Sequence, residues 1–108
     1  MAEFISLISG SSGNSSLISD GKTNILIDCG MSGKRLTELL SSIGIAPNRI
    51  DALLITHEHI DHVRGAGIIA RRYGIPIYAT QGTHSAMEIG NVSDDIRHTV
   101  SADKSFEI

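Results

Sequence analysis

The sequence has few cysteines and aromatic residues, and it lacks any long apolar run. Its one cysteine, Cys29, cannot form an intramolecular disulfide. No segment approaches the roughly 20 apolar residues of a membrane span, and the first ten residues lack a basic region and a long apolar stretch. Two tyrosines and two phenylalanines leave little aromatic surface for stacking single-stranded bases. These absences predict a soluble, cytoplasmic protein.

The sequence also lacks a large excess of either positive or negative charge. The net charge of −3 gives no global attraction to nucleic acid or to an anionic membrane. A polyanionic partner would therefore need a local basic patch. With 108 residues, of which 41% are hydrophobic, the chain has the size of one globular domain with a modest core and no internal boundary.

The apolar spacing predicts a chain that begins with strands and then alternates helices and strands. The first three predicted strands form an antiparallel meander. They are residues 4–8, a strand from Leu17 to the turn at Asp20–Gly21, and residues 24–29. Leucines then recur with helical spacing, which predicts a helix that Ser32 caps and Gly44 ends. The later predicted elements are strand 51–56, helix 65–73, strand 75–79, helix 83–89, and strands 96–100 and 105–108. The last strand stops without a turn after it, which indicates truncation.

Three of the five histidines lie in one heptapeptide, THEHIDH, directly after the predicted strand 51–56. A chain that turns sharply beyond a strand end can aim His57 and His59 at one point, and Asp61 and His62 at a second point a few ångströms away. Two metals held about 3.5–4 Å apart can clamp the oxygens of a phosphoryl or acyl centre. The alternative is that these histidines are solvated bystanders, but four specified residues at fixed spacing favour a metal site.

The donor types bear on the metal. Imidazole nitrogen and carboxylate oxygen suit zinc, manganese or iron, and zinc is the leading choice. Clustered thiolates, which a structural cysteine-type zinc site would need, are absent from the sequence. Glu58 and Ile60 alternate with the donors, so we expect Glu58 to face solvent and Ile60 to pack inside.

THEHIDH resembles the HxHxDH signature of the metallo-beta-lactamase superfamily. The stretches SGSSGNSSLI, LIDCGMSGKRL and LLITHEHIDHVRGAGIIARRYGIPIYAT are similar to the YycJ (WalJ) branch of that superfamily, nearly continuously from residue 4 to residue 90. The resemblance implies the N-terminal half of a four-layer αββα sandwich, an α/β fold with a mixed sheet and helices on one face. It further implies a cytoplasmic, metal-dependent hydrolase of the nuclease type, with double-stranded DNA exonuclease activity rather than antibiotic hydrolysis.

The resemblance also assigns roles to residues. His57 and His59 correspond to the pair on a first metal, and Asp61 and His62 to the pair on a second. Asp61 would in addition orient a bridging hydroxide or help to protonate a leaving group, which makes it the candidate catalytic residue. Asp28 would be a hydrogen-bond acceptor that fixes a ligand or the motif backbone, not a metal ligand. A local alternative is a turn aspartate bonded to nearby amides.

The resemblance covers only part of the family's site. Complete members take a third histidine, a bridging aspartate and a final histidine from later segments, and this chain is expected to end before them. Neither His84 nor His98 has a context like those motifs. With two ligands per metal we expect weak binding and no activity from this chain alone. We also expect it to self-associate through the surface that the missing half would cover.

Two further features have a functional and a simpler interpretation. In SGSSGNSS, the residues Ser11, Ser12, Gly13 and Asn14 could offer amides to a phosphate, although the stretch lacks the lysine of a P-loop and a plain turn is the alternative. Arg64, Arg71 and Arg72 could contact phosphates or simply face water. Cys29 is expected to be a small buried residue.

Three classes of function remain compatible with the sequence. The first is a nuclease that cuts phosphodiester bonds. The second is a hydrolase of a small molecule such as a thioester, a lactam or a cyclic phosphodiester. The third is a noncatalytic binding or regulatory module.

Overall fold

The computed structural model describes residues 3–8, 10 and 13–101, which form one six-stranded sheet with helices. The strands are β1 (Glu3–Ile8), β2 (Ser15–Ser19), β3 (Asn24–Ile27), β4 (Ala52–Leu54), β5 (Ile77–Ala79) and β6 (Arg97–Thr99). The helices are α1 (Gly33–Ser42), α2 (Ile60–Val63), α3 (Ala66–Tyr73) and α4 (Gln81–Ala86). Short 3-10 turns occur at Pro47–Arg49 and Asp94–Ile96.

The sheet is mixed, as predicted. Its strands lie side by side in chain order; β1, β2 and β3 pair antiparallel, which confirms the predicted meander. From β3 to β6 every pairing is parallel, and each parallel connection contains a helix. Because such crossovers are almost always right-handed and the strand order never reverses, α1, α3 and α4 fall on one face of the sheet. The predicted α/β fold class is confirmed.

The core lies between this face and the helices. Leu17, Leu26, Leu53 and Ile77 stand in register on neighbouring strands and are fully buried. Successive residues of a strand point to opposite faces, so the next row belongs to the other face. On that face the apolar side chains Ile18, Ile25, Ile27, Leu54 and Tyr78, called here the apolar row, stay only half-buried, whereas Ala52 beside Ile25 is fully buried.

The helix ends follow from the residues that the sequence places there. The Ser32 hydroxyl accepts the N–H of Arg35 and caps α1, and Gly44 follows the helix with a positive φ of 77°. Gly74 ends α3 in the left-handed conformation. Both helix predictions are confirmed. Among the described residues, α1 has ten residues and no helix combines the length and apolarity needed to cross a membrane.

Other boundaries differ from the prediction. β3 ends at Ile27, two residues early, because Asp28 adopts a left-handed φ of 61° that a strand cannot continue. The helix predicted at 83–89 occupies Gln81–Ala86 instead, because the Thr80 hydroxyl caps it by accepting the Thr83 N–H. The short helix α2 was not predicted. The predicted strand 105–108 lies outside the described residues.

Candidate metal centre

The parallel pairing of β3 and β4 brings the candidate residues together. The carboxyl ends of parallel strands meet at one edge of a sheet, and here Asp28 follows β3 while the histidine motif follows β4. The Asp28 N–H donates to the Leu54 carbonyl at 2.8 Å and locks the two strand ends side by side. Residues 28 apart in sequence therefore become neighbours at the place where the motif begins.

The motif folds as an extended stretch followed by one helical turn. His59 is the N-cap of α2, and Asp61 and His62 lie inside that turn. The ring centroids of His57 and His62 are 4.7 Å apart, and those of His57 and His59 are 6.1 Å apart. His62 Nε2 lies 4.0 Å from Asp61 Oδ2. The four donors thus lie in one region, and the His59 side chain is 70% exposed.

Asp28 is buried, with 5% of its surface exposed, and it binds the motif through both carboxylate oxygens. Its Oδ1 accepts the Thr56 N–H at 2.7 Å. Its Oδ2 accepts the Thr56 hydroxyl at 2.5 Å and lies 2.8 Å from His62 Nδ1. The Thr56 oxygen in turn lies 3.0 Å from His57 Nδ1. Thr56 is a site residue that the sequence reasoning missed; its place immediately before the first histidine was the available signal.

The loop before β2 supports the motif from the other side. Asn14 donates its N–H to the Asp61 carbonyl at 2.8 Å, and its side-chain amide lies 3.3 Å from Asp61 Oδ2. Gly30 packs directly beneath, since a Cβ there would stand 1.7 Å from the Asp61 carbonyl oxygen. The Cys29 N–H donates to the His62 carbonyl at 2.8 Å. The backbone of α2 is therefore held on two sides.

Existing hydrogen bonds within this loop argue against its use as a phosphate site. Ser11 and Ser12 lie outside the described residues. The Gly13 N–H already donates to Gly10 at 3.2 Å, and the Asn14 amide donates to the Gly10 and Asp61 carbonyls as well as approaching the Asp61 carboxylate. A phosphate could use Gly13 or Asn14 only if these bonds broke.

Three side chains next to the four donors differ in how far they are buried. Cys29 is fully buried as predicted, and desolvation raises the pKa of its thiol from 9.0 to about 12, so it stays neutral. Glu58 is exposed as predicted. Ile60 was expected inside but is 55% exposed, because it opens α2 on the outer side while Val63 is the buried residue of that turn.

The remaining histidines and arginines do not join the group. His84 Nε2 bonds the His98 carbonyl at 2.8 Å, and the His98 ring stacks on Tyr78 at 4.7 Å. Arg71 donates to the carbonyls of Ile89, at 2.7 Å, and Asn91, at 3.4 Å. Arg71 therefore fastens a loop to α3 and does not face a substrate. Arg64 and Arg72 are exposed.

The arrangement offers donors in pairs. Within residues 3–8, 10 and 13–101, no three His, Cys, Asp or Glu side chains form a group that could hold a metal ion. The Nδ1 atoms of His57 and His62 contact the Thr56–Asp28 pair, which leaves both Nε2 atoms available as donors. A further ligand from elsewhere could complete each pair.

Comparison with known proteins agrees with this geometry. The model of the metallo-beta-lactamase superfamily matches residues 8–98. The exodeoxyribonuclease WalJ of Streptococcus pneumoniae is 45% identical over 103 residues, which are 92% of this chain and 38% of that protein. The exodeoxyribonuclease YycJ of Bacillus anthracis is 40% identical over 94 residues, or 85% of this chain and 36% of that protein.

A solved structure shows the same fold. A B3 metallo-beta-lactamase with an active-site glutamic acid superposes with a TM-score of 0.76 at 19% identity, over 99% of this chain and 45% of that one. At that identity the likeness concerns the fold alone. The chain spans 38% of the length of the WalJ relative. The family model covers most of the sequence, and the histidine motif lies at the edge where the parallel strands β3 and β4 end. The chain therefore belongs to the metallo-beta-lactamase superfamily.

Proposed function

We propose that this chain supplies part of the active site of a metal-dependent hydrolase of the nuclease type, which in its full-length form acts on DNA. The observation that carries the proposal is the pair of contacts that orients two motif histidines: His62 Nδ1 on Asp28, and His57 Nδ1 on Thr56. Metal-ligating histidines commonly bond a carboxylate or another oxygen through their second ring nitrogen. Histidines that merely face solvent have no need of such partners.

A divalent metal fits these residues. Membership of the superfamily implies one, and the free Nε2 atoms together with the Asp61 carboxylate are suitable donors. His57 and His59 would hold a first ion, and Asp61 and His62 a second; zinc is the proposed metal, with manganese or iron as the alternatives. When bound, the ions would polarise the scissile group and lower the pKa of water.

Residues of this chain would do the remaining work at the site. Asp61 would hold or deliver a proton at the reacting centre through its carboxylate, which Asn14 steadies at 3.3 Å. Asp28 would fix the His62 ring without touching a metal. Gly13 and Asn14 would border the cleft and would stiffen its edge through their hydrogen bonds to Gly10.

Residues 1–108 are proposed to be the N-terminal portion of one such domain, without an internal boundary. The support is that the chain spans 38% of the length of the WalJ relative. A catalytic zinc ordinarily has three protein ligands, whereas this chain offers two for each ion. The 108 residues by themselves should therefore bind metal weakly and cleave nothing.

DNA is the proposed substrate because both sequence relatives compared above are named exodeoxyribonucleases. The test uses the complete gene product that contains this chain, with end-labelled double-stranded DNA and added zinc or manganese. We expect release of nucleotides that stops with a chelator. Changing His59 or Asp61 to alanine should lower the rate by at least about 100-fold, since each change removes one donor of a pair.

The control is His98→Ala, which removes a histidine that lies outside the motif and should leave the rate unchanged. Turnover of a thioester, lactam or cyclic phosphodiester with DNA untouched would instead establish a small-molecule hydrolase. An intact, metal-loaded protein that cleaves no substrate of either kind would establish a noncatalytic module. Either result would overturn the proposed nuclease function.

Two finer proposals concern the environment of the protein. A cytoplasmic location is supported by the single, unpaired Cys29, and fractionation of cells that carry a tagged copy would test it. Self-association of this chain is supported by the half-buried apolar row on the sheet face that carries no helix within residues 3–8, 10 and 13–101. Membranes are not among the proposed partners.

A further inference from the structure

The Thr56 hydroxyl lies between a carboxylate and an imidazole. Its oxygen is 2.5 Å from Asp28 Oδ2 and 3.0 Å from His57 Nδ1. The Thr56 N–H separately donates to Asp28 Oδ1 at 2.7 Å, so the residue is held at two points. The hydroxyl cannot turn towards another partner without giving up the bond to Asp28.

The hydrogens of this chain of contacts have only one consistent arrangement. A hydroxyl carries one hydrogen, and an ionised carboxylate only accepts. The Thr56 hydrogen must therefore point at Asp28, which leaves the oxygen as an acceptor towards His57. The Nδ1 atom of His57 must then carry a hydrogen, and the lone pair of the neutral ring is on Nε2.

The same carboxylate oxygen fixes a second ring. His62 Nδ1 lies 2.8 Å from Asp28 Oδ2, so this ring too carries its hydrogen on Nδ1. Asp28 reaches His62 directly and reaches His57 only through Thr56. One buried carboxylate thus sets the tautomer of one histidine in each of the two donor pairs.

We propose that Thr56 is a positioning residue, whose hydroxyl relays the Asp28 carboxylate to His57 and holds that ring in the Nδ1–H form with Nε2 presented to a divalent cation. The proposal rests on the metal centre proposed above. Thr56 touches neither substrate nor metal in this role; it acts on His57. Without the Thr56 hydroxyl, both neutral tautomers of His57 would be populated. Part of the population would then present an N–H at Nε2, where a cation needs a lone pair.

The test compares Thr56→Val, which replaces the hydroxyl by a methyl group, with Thr56→Ser, which keeps the hydroxyl. Long-range proton–nitrogen spectra of the metal-free 108-residue chain at pH about 8, where imidazole is neutral, report which nitrogen of each ring carries the hydrogen. The original chain and Thr56→Ser should show Nδ1–H at His57. Thr56→Val should lose that preference, while His62, bonded to Asp28 directly, keeps its own.

Titration of the complete gene product that contains this chain with zinc alone then measures the consequence, because the 108 residues by themselves should bind metal weakly. Thr56→Val should weaken zinc binding by about 10- to 100-fold, the usual effect of removing a group that orients a metal-binding histidine, and Thr56→Ser should restore it. Thr37→Val is the matched control, because the Thr37 hydroxyl donates only to the Gly33 carbonyl within α1. It should change neither the tautomers nor the affinity.

Three results would overturn the relay: His57 keeps Nδ1–H in Thr56→Val, Thr37→Val causes the same change, or His57 and His62 change together, which would indicate a general loss of local structure. Failure of the proposed metal centre looks different. In that case the His57 tautomer would respond to Thr56→Val as expected, but the complete gene product with Thr56 intact would bind no zinc.

Discussion

Asp28 combines an unusual backbone conformation with an unusual number of partners. A left-handed φ disfavours a residue other than glycine by about 1–2 kcal/mol, yet Asp28 adopts a φ of 61°. In that conformation its carboxylate accepts from Thr56 twice and contacts His62. Hydrogen bonds to charged groups are among the stronger ones in proteins. Strain of this kind is often found where a site needs one fixed arrangement.

Cys29, the next residue, makes stability depend on pH. Burial raises the thiol pKa from 9.0 to about 12, so the folded chain holds the proton more tightly than the unfolded chain. The stabilisation is complete below pH 9 and is lost between pH 9 and pH 12. At pH 10 the loss from this group should be about 1.4 kcal/mol relative to pH 8.

Urea unfolding of the original chain and of Cys29→Ala at both pH values would measure this loss. Cys29→Ala should be the less stable protein at pH 8, because it leaves a cavity, but the difference should narrow at pH 10 by that amount. Tyrosine and lysine titrate equally in both proteins and cancel. A difference that stays constant with pH would contradict the assignment.

At the residue scale, the motif itself was visible in the sequence, while its partners were not. The spacing of His57, His59, Asp61 and His62 is a local pattern. The contact between Thr56 and Asp28, by contrast, depends on which strand ends meet, and periodicity does not reveal strand order. Asn14 shows the same limit. The composition of the loop SGSSGNSS suggested a phosphate site, whereas the side-chain amide of Asn14 binds Asp61.

At the scale of elements, the parallel strand ends create the site. Helix α1 was predictable because the leucine spacing, the Ser32 cap and the terminal Gly44 agreed, and helix α3 because Gly74 marks its end. The short α2 was not, because four residues carry no detectable period. Tertiary contacts form it instead: its backbone is bonded by Asn14 on one side and Cys29 on the other.

Gly30 tests how tightly these segments are packed. In Gly30→Ala the new Cβ would stand 1.7 Å from the Asp61 carbonyl oxygen and 2.6 Å from the Asn14 nitrogen. Both obstacles are backbone atoms, so neither can move aside alone. We expect the free energy of unfolding, measured in urea, to fall by about 3 kcal/mol or more, which is the range for severe overpacking.

The matched control is Gly82→Ala in α4. A Cβ at Gly82 meets nothing within 4 Å, and alanine favours a helix over glycine by about 0.5–1 kcal/mol. This variant should be slightly more stable than the original chain. If Gly30→Ala unfolded at the same urea concentration as Gly82→Ala, the close contact between Gly30 and α2 would not exist in solution.

At the scale of the whole molecule, the two faces of the sheet differ. The centre of the face under the helices, with Leu17, Leu26, Leu53 and Ile77, is fully buried. The opposite face presents the half-buried apolar row and, at its edge, Phe4 with 66% of its surface exposed. Among the described residues, no helix covers that face. Contiguous apolar surface of this kind tends to be covered by another molecule or segment.

We therefore expect the isolated chain to associate with itself through this face. Sedimentation velocity over a wide concentration range should show a weight-average mass that rises with concentration. The double substitution Ile25→Thr and Ile27→Thr keeps β-branched residues in β3 but adds hydroxyl groups to the exposed face, so the rise should move to higher concentration. The control, Ile68→Thr, alters a residue that is 49% exposed on α3, across the sheet from the row, and should leave the association unchanged. A chain that stays monomeric throughout, or an equal effect of Ile68→Thr, would show that this sheet face does not bind a second copy.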